Sequence, residues 1–508
     1  MSASTVPADP ARSAPAQKES RKWWTLAAVS LAAFMTYLDN NIINVAIPTI
    51  QHDLHLSESG LEWVVSSYLL TLAGLLLVGG RLADVYGRRR LFLIGMAVFT
   101  LSSLAAGLAG SGTVLIASRA VQGAGAALLM PTTLAIIMAT FTNIRQRSMA
   151  IGLWAAAGAL ALALGPVLGG LISQHVRWGW IFLINVPVGV ITFAIAVAYV
   201  GESRAGSTQR RLDVPGLVTS ALALFALTYA LIEGGTKGWT SPLITGAFAL
   251  AAVAAAAFGI IETRTQNPMV DLAMFRHREF SGGTSTMMIW AFGILGIYFF
   301  TSQYLQEILG FSPTKAGLAF VPMAICVAVF ASIAPRVEVW AGAHRTVAGG
   351  MLLMVIGLSL FARLGVAASY DSLLPGFMVF GAGAGLMNVP LTNAVMHATT
   401  AARSGVASAL LNASREVAGL LGITVIGAVL GTRRSAALRA GTSPAHAFVD
   451  GYHAGLFVTI ALLAVGVAVS YVTLRPRAGG PANEASEPAA VAELTTVDEL
   501  AAELLAAD

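Results

Sequence analysis

Fourteen apolar runs of about 20 residues or more divide this chain, and no other feature restricts its fold so tightly. A helix rises ~1.5 Å per residue and the hydrocarbon core of a bilayer is about 30 Å thick, so each run is long enough to cross it. The runs cover approximately 23–47, 61–80, 91–110, 113–139, 148–172, 179–200, 213–233, 242–262, 280–304, 314–335, 346–364, 372–397, 404–431 and 452–474. Of the 508 residues only 11% are charged, against roughly 25% in a soluble domain. The fold expected is therefore an all-α integral membrane protein with 14 transmembrane helices in a lipid bilayer.

The basic residues exclude one alternative and orient the chain. Net charge is +5, but Lys and Arg are scattered singly in short gaps rather than gathered into a stripe, which argues against a nucleic-acid partner. With the N-terminus placed in the cytoplasm, they favour inside segments over outside ones by roughly three to one, so both termini are expected inside. Arg433, Arg434 and Arg439 run against this bias in a segment read as an outside loop. The first run is too long for the h-region of a signal peptide and is expected to remain as a helix. The lone Cys326 allows no intrachain disulfide, and no Cys-based metal site is expected.

An internal repeat organises the runs. Gly123 to Pro131 reads GAGAALLMP and leads to Arg147, Ser148 and Gly152; Gly381 to Pro390 reads GAGAGLMNVP and leads to Arg403, Ser404 and Gly405. The fourth and fifth runs thus echo the twelfth and thirteenth, giving two six-helix halves with two helices inserted between them, a common build of secondary transporters. The boundaries that follow are a disordered tail over 1–22, a first bundle over 23–200, a linker with two extra helices over 201–279, a second bundle over 280–474 and an acidic cytoplasmic tail over 475–508. In that last tail Thr496 and Glu499 have capping-box spacing, although disorder is the reading adopted.

Polar residues inside such runs are costly and mark candidate sites. Tyr37 to Pro48, YLDNNIINVAIP, holds Asp39, Asn40, Asn41 and Asn44 within the first helix. A carboxylate near mid-membrane costs roughly 2.5–3.5 kcal/mol on insertion scales and faces a cavity or a partner; Asp39 serves either transport or a permanent structural pair. Arg119 lies at similar depth in the fourth run, ~10 Å from its outer end against ~13 Å for Asp39, which matches height without specifying face. Tyr68 is near the same level, either lining a pathway or packing in the core. Arg415 and Glu416 are near the midplane of the thirteenth run. As neighbours they diverge by about 100°, and Glu416 is either a second protonation or cation site or the partner of another helix. The turn Gly80-Arg-Leu-Ala-Asp84-Val-Tyr-Gly87-Arg88-Arg89-Arg90 combines flexible glycines with an acid and a basic run, suited to latching one half against the other or to anchoring at lipid headgroups. In the fifth run Gly165-Pro166-Val-Leu-Gly169-Gly170 combines a kink with close-packing positions. The second copy has Gly422 where Pro166 stands.

These stretches resemble known motifs. Gly80 to Arg89 resembles the signature loop of the major facilitator superfamily, with Val85 where a basic residue is usual. Leu115, Arg119, Gln122, Gly123 and Gly125 resemble that family's fourth-helix motif. Gly158 with Gly165-Pro166 and Gly169-Gly170 resembles the motif of its exporting antiporters. Tyr37 to Pro48 and Trp180 to Gly189 are similar to the first-helix and sixth-helix signatures of the fourteen-helix drug:proton antiporters, with Asn41 in place of the usual Thr. The resemblance implies the major facilitator fold and a proton-coupled antiporter of the cell membrane that exports hydrophobic or cationic compounds. In this reading Asp39, Arg119 and Glu416 carry proton coupling, and Gly80, Asp84, Gly87, Arg88, Gly165 and Pro166 serve the conformational switch. Asn44, Tyr68 and Gln122 line the substrate pathway. The alternative is a proton-coupled importer of a small solute, against which the fifth-helix pattern argues. No nucleotide loop or His/Cys ligand set suggests an enzyme. The expectation is a monomer with no cofactor or metal, driven by the proton gradient.

Overall fold

A computed structural model describes residues 13–204, 213–265, 268, 270, 272–398 and 404–475. The described residues contain helices and no strand. The first half comprises α1 (Ser13–Leu54), α2 (Glu58–Tyr86), α3 (Arg88–Gly107), α4 (Gly112–Thr140), α5 (Ile144–His175), α6 (Trp180–Leu183) and α7 (Asn185–Tyr199). Two inserted helices follow, α8 (Val214–Lys237) and α9 (Pro242–Arg264). The second half comprises α10 (Arg278–Gln303), α11 (Pro313–Ala319), α12 (Val321–Ala341), α13 (Ala343–Phe361), α14 (Tyr370–His397), α15 (Ser404–Arg439) and α16 (Pro444–Thr473). A π-helical turn, Tyr304–Ile308, extends α10. Counting α6 with α7, α10 with its π turn and α11 with α12 as single crossings, 14 helical segments are long and apolar enough to span a bilayer.

The sequence specifies where the crossings begin. Ser57, Ser111, Ser241, Ser312 and Ser443 cap α2, α4, α9, α11 and α16, each hydroxyl accepting from a backbone N–H in the first turn. Pro242, Pro313 and Pro444 stand just inside three of these starts, where a missing N–H costs nothing. Gly87 separates α2 from α3 with φ +112°, a conformation that L side chains rarely adopt.

Packing repeats as the sequence does. In the first half α1 packs on α5, α2 and α3 on α4, and α7 on α1 and α3; in the second, α10 packs on α15, α12 and α13 on α14, and α16 on α10 and α13. The two largest contacts between the halves are ones that the same repeat relates, α2 with α15 and α5 with α11. The inserted pair packs on itself, and α8 also touches α2 and α15.

Two boundaries differ from the sequence reading. The helix α1 begins at Ser13, where a disordered tail was expected: residues 13–22 extend a helix already nucleated by the apolar run, and continuing a helix is far cheaper than starting one. Arg433, Arg434 and Arg439 are helical, because α15 runs on to Arg439. Their break with the charge bias has a local explanation in Arg434, whose guanidinium pairs with Glu58 at the start of α2. Residues 1–12, Arg403 and the acidic tail beyond Arg475, including Thr496 and Glu499, lie outside the described residues.

Candidate functional site

Asp39 sits in the interior of the first half with no solvent exposure, as does Arg119. Nη1 of Arg119 donates to Asp39 Oδ2 at 2.5 Å. The other carboxylate oxygen accepts from Gln122 Nε2 at 2.8 Å and from Asn185 Nδ2 at 2.9 Å. Three helices, α1, α4 and α7, thus converge on one carboxylate. Gln122 accepts from Arg119 at 2.7 Å and donates to Ser103 Oγ on α3 at 2.7 Å. Each donor set follows from the helix period: Arg119 and Gln122 are three apart on one face of α4, and Asn185 is the first residue of α7, where it projects into the bundle.

Arg119 has a second set of partners that do not involve Asp39. Its Nε donates to the Val64 carbonyl of α2 at 3.2 Å, and the guanidinium lies 4.2 Å from the Tyr68 ring centroid and 5.5 Å from that of Phe182. Cation–π contact with a desolvated cation is worth ~2 kcal/mol. Nη2 of Arg119 and the hydroxyl of Tyr68 are both buried without a hydrogen-bond partner. The cation therefore keeps three supports when the charge on Asp39 is removed.

Asn44 is buried, and its Nδ2 donates within its own helix, to the carbonyls of Asn40 at 3.3 Å and Asn41 at 3.5 Å. Glu416 and Arg415 bond to each other despite their divergent Cβ directions, with Arg415 Nη2 to Glu416 Oε1 at 2.7 Å. The long Arg side chain folds back along the helix to make this bond. The guanidinium also lies 5.9 Å from the Tyr37 ring centroid, so the pair faces α1 two residues before Asp39.

The Gly-Pro stretch of α5 contacts both the carboxylate helix and the other half. A Cβ at Gly165 would fall 2.7 Å from Asn41 Cβ, and one at Gly169 would strike the Ile42 carbonyl. One turn along, Gly170 lies against the Pro313 carbonyl, while Gly317 of α11 lies against that of Pro166. Thr314 adds a bond from its backbone N–H to Gln174 Oε1 at 3.1 Å. Here α5 is packed between the helix that carries Asp39 and α11 of the second half.

The signature loop binds its own half. Arg88 donates to Asp84 Oδ1 at 3.1 Å and to the Ala135 carbonyl of α4 at 3.2 Å. Its backbone N–H meets the Ser203 carbonyl at 3.0 Å. Arg89 N–H donates to Glu202 Oε1 at 3.1 Å, and a Cβ on Gly87 would strike that carboxyl. Gly80 packs on the Pro131 ring. These contacts tie together one end of α2, α3, α4 and the segment after α7.

Sequence reasoning left Asn185, Ser103 and Glu62 without a role. The first two are polar residues in apolar surroundings, a signal too common to single them out. Glu62 is a carboxylate near a helix start, where an exposed, interfacial position is the ordinary reading.

Two repeat-related helical halves, the first with a buried ion pair in its interior, have the build of a secondary transporter. The chain belongs to the Major Facilitator Superfamily, whose sequence profile matches residues 29–423. It is 38% identical over 416 residues to "Multidrug resistance protein Stp" of Mycobacterium tuberculosis (strain CDC 1551 / Oshkosh), covering 82% of this chain and 77% of that one. It is 35% identical over 473 residues to "Puromycin resistance protein pur8" of Streptomyces alboniger, covering 91% and 92%. Among solved structures, an auto-inhibited POT family peptide transporter superposes with a TM-score of 0.66 at 13% identity, over 91% of this chain and 99% of that one. The last likeness is one of fold.

Proposed function

We propose that the protein exports hydrophobic or cationic compounds, antibiotics among them, across the cell membrane in exchange for protons. The observation that carries the coupling is the Asp39 carboxylate, fully buried and held by Arg119, Gln122 and Asn185. Relatives named for multidrug and puromycin resistance support the export direction and the chemical class of cargo.

The two halves are joined at the α1–α2 end, through α5 with α11 and α2 with α15, and Gln306 of the π turn donates to the Val45 carbonyl of α1 at 2.9 Å. With both termini in the cytoplasm, that end faces outside. Parting of these contacts moves α5, which moves α1 through the Gly165 and Gly169 notches and hydrates Asp39. A proton from the acidic side then neutralises Asp39, while Arg119 rests on Val64, Gln122 and the Tyr68 face. Closure returns Asp39 to the interior, the proton leaves to the cytoplasm as Arg119 recovers its partner, and cargo binds. No cofactor enters; the proton gradient supplies the work, about 2.3 kcal/mol per charge per 100 mV when net charge moves.

The test is a panel of dyes and antibiotics in everted vesicles under an imposed pH gradient. Accumulation of at least one compound that collapses with the gradient is the expected result. Gradient-driven movement in the opposite direction would replace this reading with solute import.

A further inference from the structure

Glu62 stands at the contact between the halves, and among the described residues none balances its charge. It is 9% exposed, and its Oε2 has no hydrogen-bond partner. Across from it α15 presents Gly427, where a Cβ would collide with the carboxyl. The side chain therefore occupies a notch that only glycine leaves open.

The repeat shows that packing alone does not call for an acid here. Ser57 caps α2 and Ser312 caps α11, and counting from each cap places Glu62 opposite Gly317. At that second position Gly317 lays its backbone directly against the Pro166 carbonyl. One contact between the halves is sealed by backbone on backbone, and its repeat mate by a carboxyl in a glycine notch.

The charges around Glu62 do not neutralise it. Its charged neighbours are Glu58 on α2 and Glu233 on α8, both acids. Glu233 is taken by Trp63 Nε1 at 3.0 Å and Lys237 Nζ at 3.2 Å. On α15, Arg434 pairs with Glu58 and Arg415 with Glu416. On α4, Arg119 is held by Asp39 and Gln122. The π turn adds another acid, Glu307, and the end of α1 an exposed pair, His52 with Asp53. An ionised carboxylate without a donor in a closed apolar contact is costly, whereas its protonated form is neutral.

We propose that Glu62 is a second proton-binding site, separate from Asp39, whose protonation is linked to closure of the α2–α15 contact. It is protonated while the notch is shut and gives its proton to water at the α1–α2 end when the halves part there. An acidic outside thus reloads Glu62 after cargo is released and favours the return to the closed arrangement. This role rests on the reading of the protein as a proton-coupled exporter that alternates access.

The test reads conformation rather than transport. Spin labels are placed at Ser59→Cys on α2 and Ser435→Cys on α15, in a Cys326→Ser, Asp39→Asn protein in lipid nanodiscs without cargo. One linked proton predicts that the ratio of parted to closed molecules rises about tenfold per pH unit across the titration. Glu62→Gln, close to isosteric, is expected to abolish that dependence and leave the contact closed at every pH. If Glu62→Gln does not yield folded protein, Glu62→Met fills the notch without an acid and makes the same prediction. An unchanged titration in either variant, or none with Glu62 intact, overturns the proposal. Gradient-driven export by the unmodified protein is measured separately, so failure of the exporter reading shows there and failure of the Glu62 role shows in the distances.

Discussion

Asp39 and Arg119 form an ion pair with no solvent exposure on either side chain. Breaking such a pair by removing one partner typically costs 3–5 kcal/mol, because the other charge is left unpaired. Here that loss is softened on one side only, since Arg119 retains Val64, Gln122 and the Tyr68 ring. Asp39→Asn is therefore expected to fold and bind cargo yet lose accumulation against a gradient, read as everted-vesicle uptake with and without a pH gradient. Arg119→Ala leaves Asp39 with two neutral donors and is expected to shift the pH dependence of cargo binding rather than merely weaken it. Tyr68 separates ring from hydroxyl. Tyr68→Phe keeps the face over Arg119 and loses a group with no protein partner, so folded yield should be unchanged; Tyr68→Leu removes the cation–π contact and should lower thermal stability by about 1–2 kcal/mol. A drop in transport for Tyr68→Phe alone would assign the hydroxyl to cargo or water.

At the scale of elements, α5 packs closely against both the helix that carries Asp39 and the other half. Its glycines accept α1 on one side and α11 on the other, so it cannot shift against the second half without disturbing the helix that carries Asp39. Gly169→Leu would drive a side chain into the Ile42 backbone and is expected to abolish folded protein, measured as monodisperse yield after detergent extraction. Pro166→Ala leaves the same surfaces in place but restores a backbone N–H inside α5. It should insert normally and change the balance between the two access states, seen as altered protons moved per cargo molecule. Transport with an unaltered proton ratio would remove Pro166 from the coupling. The glycines, the proline and the polar residues of α1 were all legible as unusual in the sequence. What they touch was not, because helix period sets the spacing of a face but not the partner that covers it.

For the whole molecule, duplication explains both the symmetry and its breaks. The α2–α15 and α11–α5 contacts are repeat mates, but only the first carries acids, with Glu58 bound to Arg434 and Glu62 in its notch. The contact at that end is thus charged on one side and formed by close backbone packing on the other. Glu58→Arg and Arg434→Glu should each shift the access equilibrium toward parting at this end, and the combined swap should restore it. Cross-linking yield between cysteines on α2 and α15 reports the change. Sidedness is tested by labelling Ser57→Cys on a Cys326→Ser background: reaction with an impermeant reagent from outside intact cells is expected. Labelling from the cytoplasmic side alone would reverse the orientation.

By itself the sequence determined that the chain is helical and crosses a membrane fourteen times, since run length and the cost of charge in lipid depend only on local composition. It also determined the two-half build, because a duplicated stretch such as GAGAALLMP and GAGAGLMNVP carries its packing partners with it. Depth was readable as well: helical rise alone placed Asp39 and Arg119 at one height. The tertiary structure decided azimuth. It turned Arg119, Gln122 and Asn185 toward one carboxylate, folded Arg415 onto its own neighbour, and confined the contacts of Arg88 to the first half. It set Glu62 against Gly427, residues far apart in the chain. Rotation of each helix about its axis is fixed by the helices around it, and no single run contains that information.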